Sequence, residues 1–94
     1  MFLKEDNYPP EFLEKIKDLG KCLTPVPEIA CSLDIPEDDL ELVIQQVGNP
    51  IRKAYISGMA ETNRELRRTA IESATAGSPA AMEQCLKFAL SINI

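Results

Sequence analysis

The stretch TPVPEIACSLDIPEDDLELVIQQVGNP, residues 24–50, decides the fold because proline and glycine divide it into short helical segments. Thr24 and Asn49 are each a good N-cap residue placed directly before a proline, which is well tolerated in the first turn of a helix. Pro36 opens a second segment, and Gly48 closes it. The stretch therefore predicts two consecutive short helices and the start of a third.

The same pattern continues in both directions along the chain. Two prolines precede EFLEKIKDL and Gly20 follows it, while Gly77 ends a long segment before Ser78 and its proline open the last one. These signals predict helices over 10–19, 25–33, 36–47, 50–76 and 79–91.

No segment requires a β-strand, so we expect an all-α fold of about five helices in a single domain over residues 1–94. The second and third helices have helix-turn-helix spacing, with Ala30 where the helices cross and Asp34 where glycine is commonest. Residues 24–47 are thus predicted to be helix-turn-helix-like. Residues 50–91 are predicted to form an antiparallel helical hairpin, a candidate assembly element.

Apolar residues at steps of three and four predict the core. Its expected members are Phe12, Ile16, Ile29, Leu33, Leu40, Val43, Tyr55, Leu66 and Leu86. Gly58 is the one glycine that helix ends do not explain. A helix interior glycine costs about 1 kcal/mol relative to alanine, so we expect either a close helix crossing or a bend there.

The chain has no histidine, which excludes Ser-His and Cys-His nucleophile pairs, and it has no glycine-rich phosphate motif. Its three cysteines, Cys22, Cys31 and Cys85, lack CxxC spacing, so we expect no zinc. Their apolar settings favour buried free thiols, with a Cys22–Cys31 disulfide as the alternative. We therefore expect a protein that is not an enzyme and has no cofactor.

Composition also predicts the compartment. The chain contains no run of about 18 uncharged residues that could cross a bilayer. The first residues, MFLKEDNY, place acids directly after two apolar residues, unlike a secretory signal. We therefore expect a cytoplasmic protein without a membrane partner.

Charge is distributed unevenly along the chain. Residues 1–47 hold 4 basic and 11 acidic residues, a net charge of −7, whereas residues 48–77 hold 5 basic and 3 acidic residues, a net charge of +2. The third helix opens with Glu37, Asp38 and Asp39, which DNA phosphates would repel. We expect DNA contacts, if there are any, from the long fourth helix: Arg52, Lys53, Arg64, Arg67 and Arg68. The alternative is a solvated face on which these cations pair with Glu61, Glu65 and Glu72.

The run NPIRKAYISGMAETNRELRRTAIESATAGSPAAMEQCLKFA resembles the terminase small subunits of tailed phages and prophages. That family follows a helix-turn-helix with Ala-Tyr-x-x-Gly, then a leucine-bearing helix ending Ala-x-x-Gly-[Ser/Asn]-x-x-Ala. The matching residues here are Ala54, Tyr55, Gly58, Leu66, Ala74, Gly77, Ser78, Pro79 and Ala81. With the preceding helix pair, the resemblance covers residues 22–90, although the acidic third helix departs from the pattern of a DNA reader.

The resemblance implies a non-catalytic, ring-forming DNA-packaging protein that binds double-stranded DNA and recruits a large terminase-type subunit. The alternative is a protein-protein interaction adaptor or regulator in which the helix-turn-helix is only a scaffold. The charge distribution separately predicts a homo-oligomer, in which the basic helix of one copy contacts the acidic half of the next. Salt should weaken such a contact.

Overall fold

The computed structural model describes residues 8–92, and α-helices are the regular elements of this range. They are α1 (Pro10–Lys21), α2 (Val26–Leu33), α3 (Glu37–Gln45), α4 (Pro50–Thr75) and α5 (Pro79–Leu90). The predicted all-α fold with five helices is confirmed. None of these helices is long and apolar enough to cross a membrane. The predictions about a signal sequence and about a domain over 1–94 reach outside the described residues.

Two helix starts are capped by the residues that the sequence indicates. Asn49 Oδ1 accepts the N–H two residues further on at 2.9 Å, and Ser78 Oγ accepts the N–H three residues further on at 3.3 Å. The start of α2 differs, because Pro25 occupies its N-cap position without a side-chain cap. The prediction of Thr24 as N-cap is wrong: its carbonyl oxygen instead accepts the Tyr55 hydroxyl at 2.9 Å.

A residue with positive φ follows the ends of α1, α2 and α4 within two residues. Leu23 and Asp34 have φ of 55° and 54°, and Gly77 has φ of 101°. Asp34 thus adopts the left-handed conformation that glycine favours, at the position where the helix-turn-helix pattern most often has glycine. The following residue, Ile35, donates its N–H to the Ala30 carbonyl at 2.9 Å. This turn directs Ile35 into the core between α2 and α3.

The described chain divides into two compact units, residues 8–62 and residues 63–92. The first unit holds α1, α2, α3 and the beginning of α4. Its buried apolar residues are Ile16, Ile29, Ala30, Ile35, Leu40, Val43 and Ile51. The second unit pairs the rest of α4 with α5 in the predicted antiparallel hairpin, and none of its described residues is buried.

The predicted core is right in the first unit and wrong in the second. Ile16, Ile29, Leu40 and Val43 are fully buried, and Phe12, Leu33 and Tyr55 pack against them half-buried. Leu66 and Leu86 are 54% and 64% exposed. A hairpin of two helices has one contact face, so its remaining apolar side chains have nothing in that unit to cover them.

The backbones of α1 and α4 meet at two glycines. A Cβ atom on Gly20 would collide with the carbonyl oxygen of Tyr55, and one on Gly58 would collide with the carbonyl oxygen of Lys17. Of the two explanations for Gly58, the close helix crossing is therefore correct. Gly20 was expected to follow the first helix; that expectation is wrong, because α1 continues to Lys21 and Gly20 lies inside it.

Polar contacts flank this crossing. The Glu61 carboxylate pairs with Lys17 at 3.5 Å and Lys21 at 3.3 Å, and the Thr62 hydroxyl donates to the Lys21 carbonyl. Hydrogen bonding to Lys21, helped by the charge of Lys17, lowers the pKa of Glu61 below its usual value. The stabilisation from Glu61 is therefore present above the ordinary carboxyl pKa and is lost as pH falls through the lowered one.

We expect Gly58→Ala to destabilise the protein. Alanine favours a helix by about 1 kcal/mol over glycine. Here, however, the added methyl group meets backbone atoms that cannot swing aside, and overpacking costs about 1 to 3 kcal/mol or more. Urea denaturation followed by circular dichroism should show a lower midpoint. The control is Ser57→Ala at the exposed neighbouring position, which should change stability by no more than about 0.5 kcal/mol. An unchanged or higher midpoint for Gly58→Ala would contradict the close crossing.

Leu40→Ala should cost about 2 to 5 kcal/mol, because Leu40 is fully buried and the substitution leaves a cavity. This is a large part of the stability of a small domain. Thermal unfolding measures the loss. Val47→Ala is the matched control, since Val47 is 92% exposed and should tolerate truncation. Equal melting temperatures for the two variants would show that Leu40 is not in the core.

Candidate nucleic-acid interface

The five cations predicted to contact DNA all lie on α4, but they belong to different units. Arg52 and Lys53 are part of the first unit. Arg64, Arg67 and Arg68 are part of the hairpin unit, where steps of three and four residues place them on neighbouring surface positions. The structure therefore brings three of the five together.

Arg52 and Lys53 are adjacent in sequence and differ in their contacts. The Arg52 guanidinium is half-buried and donates to the Ile44 carbonyl near the end of α3 at 2.6 Å. Lys53 is exposed, and its side chain makes no ion pair or hydrogen bond with the other residues of 8–92. Both line a shallow groove at the start of α4 with Ile56. Arg52 thus serves the packing of α3, and Lys53 is available to a ligand.

The three hairpin arginines also differ. Arg68 pairs with Glu65 at 3.4 Å, as the alternative of a solvated face predicts. The Arg67 guanidinium lies over the ring of Phe88, 5.7 Å from its centroid. Arg64 is exposed, and its side chain makes neither an ion pair nor a ring contact with the described residues. Because exposed ion pairs contribute little free energy, the Glu65 pair would not prevent Arg68 from binding another anion.

The outer surface of α3 is acidic. Its first turn carries Glu37, Asp38 and Asp39, which the helix dipole stabilises at this end. Asp38 and Glu41 are exposed, and between the acids Leu42 is 49% exposed. The surface that reads bases in a helix-turn-helix protein therefore presents carboxylates and an apolar side chain here, in a pattern that phosphate disfavours.

The hairpin carries a surface feature that sequence analysis missed. A groove of about 620 Å³ runs between the two helices. It is lined by Arg67, Ile71, Cys85, Phe88, Ala89, Ser91 and Ile92. A signal was present in the sequence, since the apolar residues of α5 occupy more of its circumference than one neighbouring helix can cover.

The cysteines are free thiols, so the Cys22–Cys31 disulfide alternative is wrong. The expectation that the thiols are buried is also wrong for Cys22 and Cys31, which are exposed. Cys85 is half-buried and lines the hairpin groove.

No known protein family matches the chain, and neither a curated protein nor a solved structure is significantly similar to it. Function must therefore be inferred from the charges and exposed surfaces described above. These offer two separate capacities. Cations on α4 can bind phosphate groups, and the apolar hairpin surface can bind another helical surface.

We expect Lys53→Ala combined with Arg64→Ala to weaken binding to double-stranded DNA. Each removed phosphate contact should lower the slope of log affinity against log salt by about 1. Fluorescence anisotropy of a labelled duplex across a salt series measures this slope. An unchanged slope would show that these two cations do not contact phosphates.

Arg52→Ala is the contrasting variant for that experiment. It should leave the salt slope unchanged while lowering stability by about 1 to 2 kcal/mol, because it removes a charged hydrogen bond to the Ile44 carbonyl. Chemical denaturation measures the loss of stability. A reduced slope without destabilisation would place Arg52 among the DNA contacts.

Proposed function

We propose that the protein is a non-catalytic, nucleic-acid-associated assembly protein with a role like that of a phage terminase small subunit. The hairpin surface carries this proposal. The hairpin has no buried residue within 63–92, while large apolar side chains on both helices and just after α5 are 48 to 86% exposed. These are Leu66, Ile71, Met82, Leu86, Leu90 and Ile92. Such a concentration of exposed apolar side chains on one small unit is typical of an interaction surface, and self-association would cover it.

The DNA contact in this proposal comes from α4 rather than α3. Lys53 and Arg64 are exposed, and their side chains have no ion-pair or hydrogen-bond partner among the described residues. Arg67 and Arg68 lie within about one turn of Arg64. Few cations per copy means a low affinity per copy. A homo-oligomer raises the overall affinity because several copies engage the same duplex together.

The recruitment of a large terminase-type subunit and the phage setting are supported by the resemblance over residues 22–90. A cytoplasmic location is supported by composition. Both belong to the same proposal of a terminase-like role.

A helical protein-protein adaptor that does not bind DNA is the second candidate. It is favoured by the acidic surface of α3 and by the engagement of Arg52 with the Ile44 carbonyl and of Arg67 with Phe88. In both candidates the exposed hairpin surface would bind another protein surface. They differ in whether DNA binds to the assembled protein.

We expect light scattering coupled to gel filtration to give a mass above that of a dimer at low salt. The mass should fall as salt rises above about 0.15 M, where the Debye length drops below about 8 Å. Electrophoretic mobility shift with a double-stranded DNA, at low and moderate salt, then separates the two candidates. A shift at low salt that weakens with salt supports the terminase-like role.

The matched control for assembly is Leu86→Ser, which removes an exposed apolar side chain of the hairpin without disturbing the core of residues 8–62. It should lower the mass and leave the helical content of the first unit intact. A native protein that is monomeric at every salt and at tens of micromolar would contradict the proposal. An oligomer that does not shift the DNA would contradict the nucleic-acid role and support the second candidate, the protein-protein adaptor.

A further inference from the structure

The hairpin groove has a specific chemical character. Ile71, Phe88 and Ile92 give it apolar walls, and Cys85 also lines it. At its rim the Arg67 guanidinium lies over the Phe88 ring, which holds a positive charge beside the apolar surface. Such a groove suits an apolar side chain that is flanked by carboxylates, because the apolar part is buried and the charges meet at the edge.

The outer surface of α3 presents this combination. Leu42 is 49% exposed, and Asp38, one helical turn before it, is exposed on the same side. Glu41 is the adjacent exposed acid. The opposite side of α3 is fixed in the core by Leu40 and Val43, so the Leu42 side is held outward.

The charges of the two units favour contact between unlike surfaces. Residues 1–62 hold 6 basic and 12 acidic residues, a net charge of −6, and residues 63–94 hold 4 basic and 3 acidic residues, a net charge of +1. Two copies of the first unit repel each other, and two hairpins gain no attraction from their net charge. The first unit of one copy and the hairpin of another attract.

We propose that Leu42 of one copy inserts into the hairpin groove of a second copy, with Asp38 and Glu41 facing Arg67. This inference rests on the homo-oligomer of the proposed function and names its contact. The two surfaces are different, so the contact is heterologous and each copy offers both halves of it. Arg67 then serves assembly, and the acidic α3 is an assembly surface in place of a base-reading helix.

A charge exchange tests the pairing directly. The variants are Leu42→Ser, Glu41→Lys, Arg67→Glu and the double variant Glu41→Lys with Arg67→Glu. Glu14→Lys is the matched control, because Glu14 is an exposed acid on α1. Circular dichroism and melting temperature establish that each variant is folded. Sedimentation equilibrium then gives the dissociation constant of self-association.

We expect Leu42→Ser to raise this dissociation constant about tenfold or more, as the loss of one buried leucine contact implies. Glu41→Lys and Arg67→Glu should each raise it about fivefold or more, because attraction becomes repulsion. The double variant should return to within about threefold of the native protein. Glu14→Lys combined with Arg67→Glu should show no such recovery.

Thiol labelling gives an independent measurement. In the native oligomer the proposed contact covers Cys85, so its reaction with a maleimide should slow as protein concentration rises. Cys22 and Cys31 are exposed and outside the groove, so they serve as internal controls. Mass spectrometry of digested protein reports the three rates, and Leu42→Ser should remove the protection of Cys85.

The outcomes separate this inference from the proposed function. An oligomer that Leu42→Ser and Glu41→Lys leave unchanged would overturn the contact and leave homo-oligomerisation standing. Loss of assembly in Arg67→Glu without recovery in the double variant would also overturn it, because the groove would then bind another surface. A native protein that is monomeric would contradict both the proposed contact and homo-oligomerisation. Charge rescue in a protein that does not bind DNA would support the contact and remove the nucleic-acid role.

Discussion

The close backbone approach of α1 and α4, which Gly20 and Gly58 allow, is the constraint on which the first unit depends. It allows α1 and α4 to approach until carbonyl oxygens of one helix occupy the space where a side chain of the other would begin. At this separation Ile16 of α1 and Ile51 of α4 both reach the core that α2 and α3 complete. A larger residue at either glycine would move one helix outward and open that core to water.

The sequence predicted what local interactions determine. Asn49 and Ser78 cap helices, and Asp34 turns left-handed, because these features depend on neighbouring residues only. Gly20 could not be interpreted in this way. It lies near the end of an apolar pattern, where a glycine that ends a helix and a glycine touched by a distant helix look alike. Only the fold shows that its contact is Tyr55, far along the chain.

The same limit applies to the functional surfaces. Residue type identified five cations, but it could not separate Arg52 from its neighbour Lys53. Arg52 is half-buried and donates to the Ile44 carbonyl, whereas Lys53 is exposed, and only the packing of the fold determines this difference. Periodicity predicted Leu66 and Leu86 as core residues, whereas the structure leaves both of them exposed. Periodicity alone cannot distinguish a core residue from an interface residue, because an apolar helix face has the same pattern in a core and at an interface between copies.

The absence of buried residues in the described part of the hairpin has a kinetic consequence. Helices held by few buried contacts open locally at low free-energy cost, so amide hydrogens of α5 should exchange with solvent much faster than those of α2 and α3. Anything that binds the closed hairpin slows this exchange by mass action. Copies outside an assembly would then be the preferred substrates of proteases, and degradation would keep the number of free copies low.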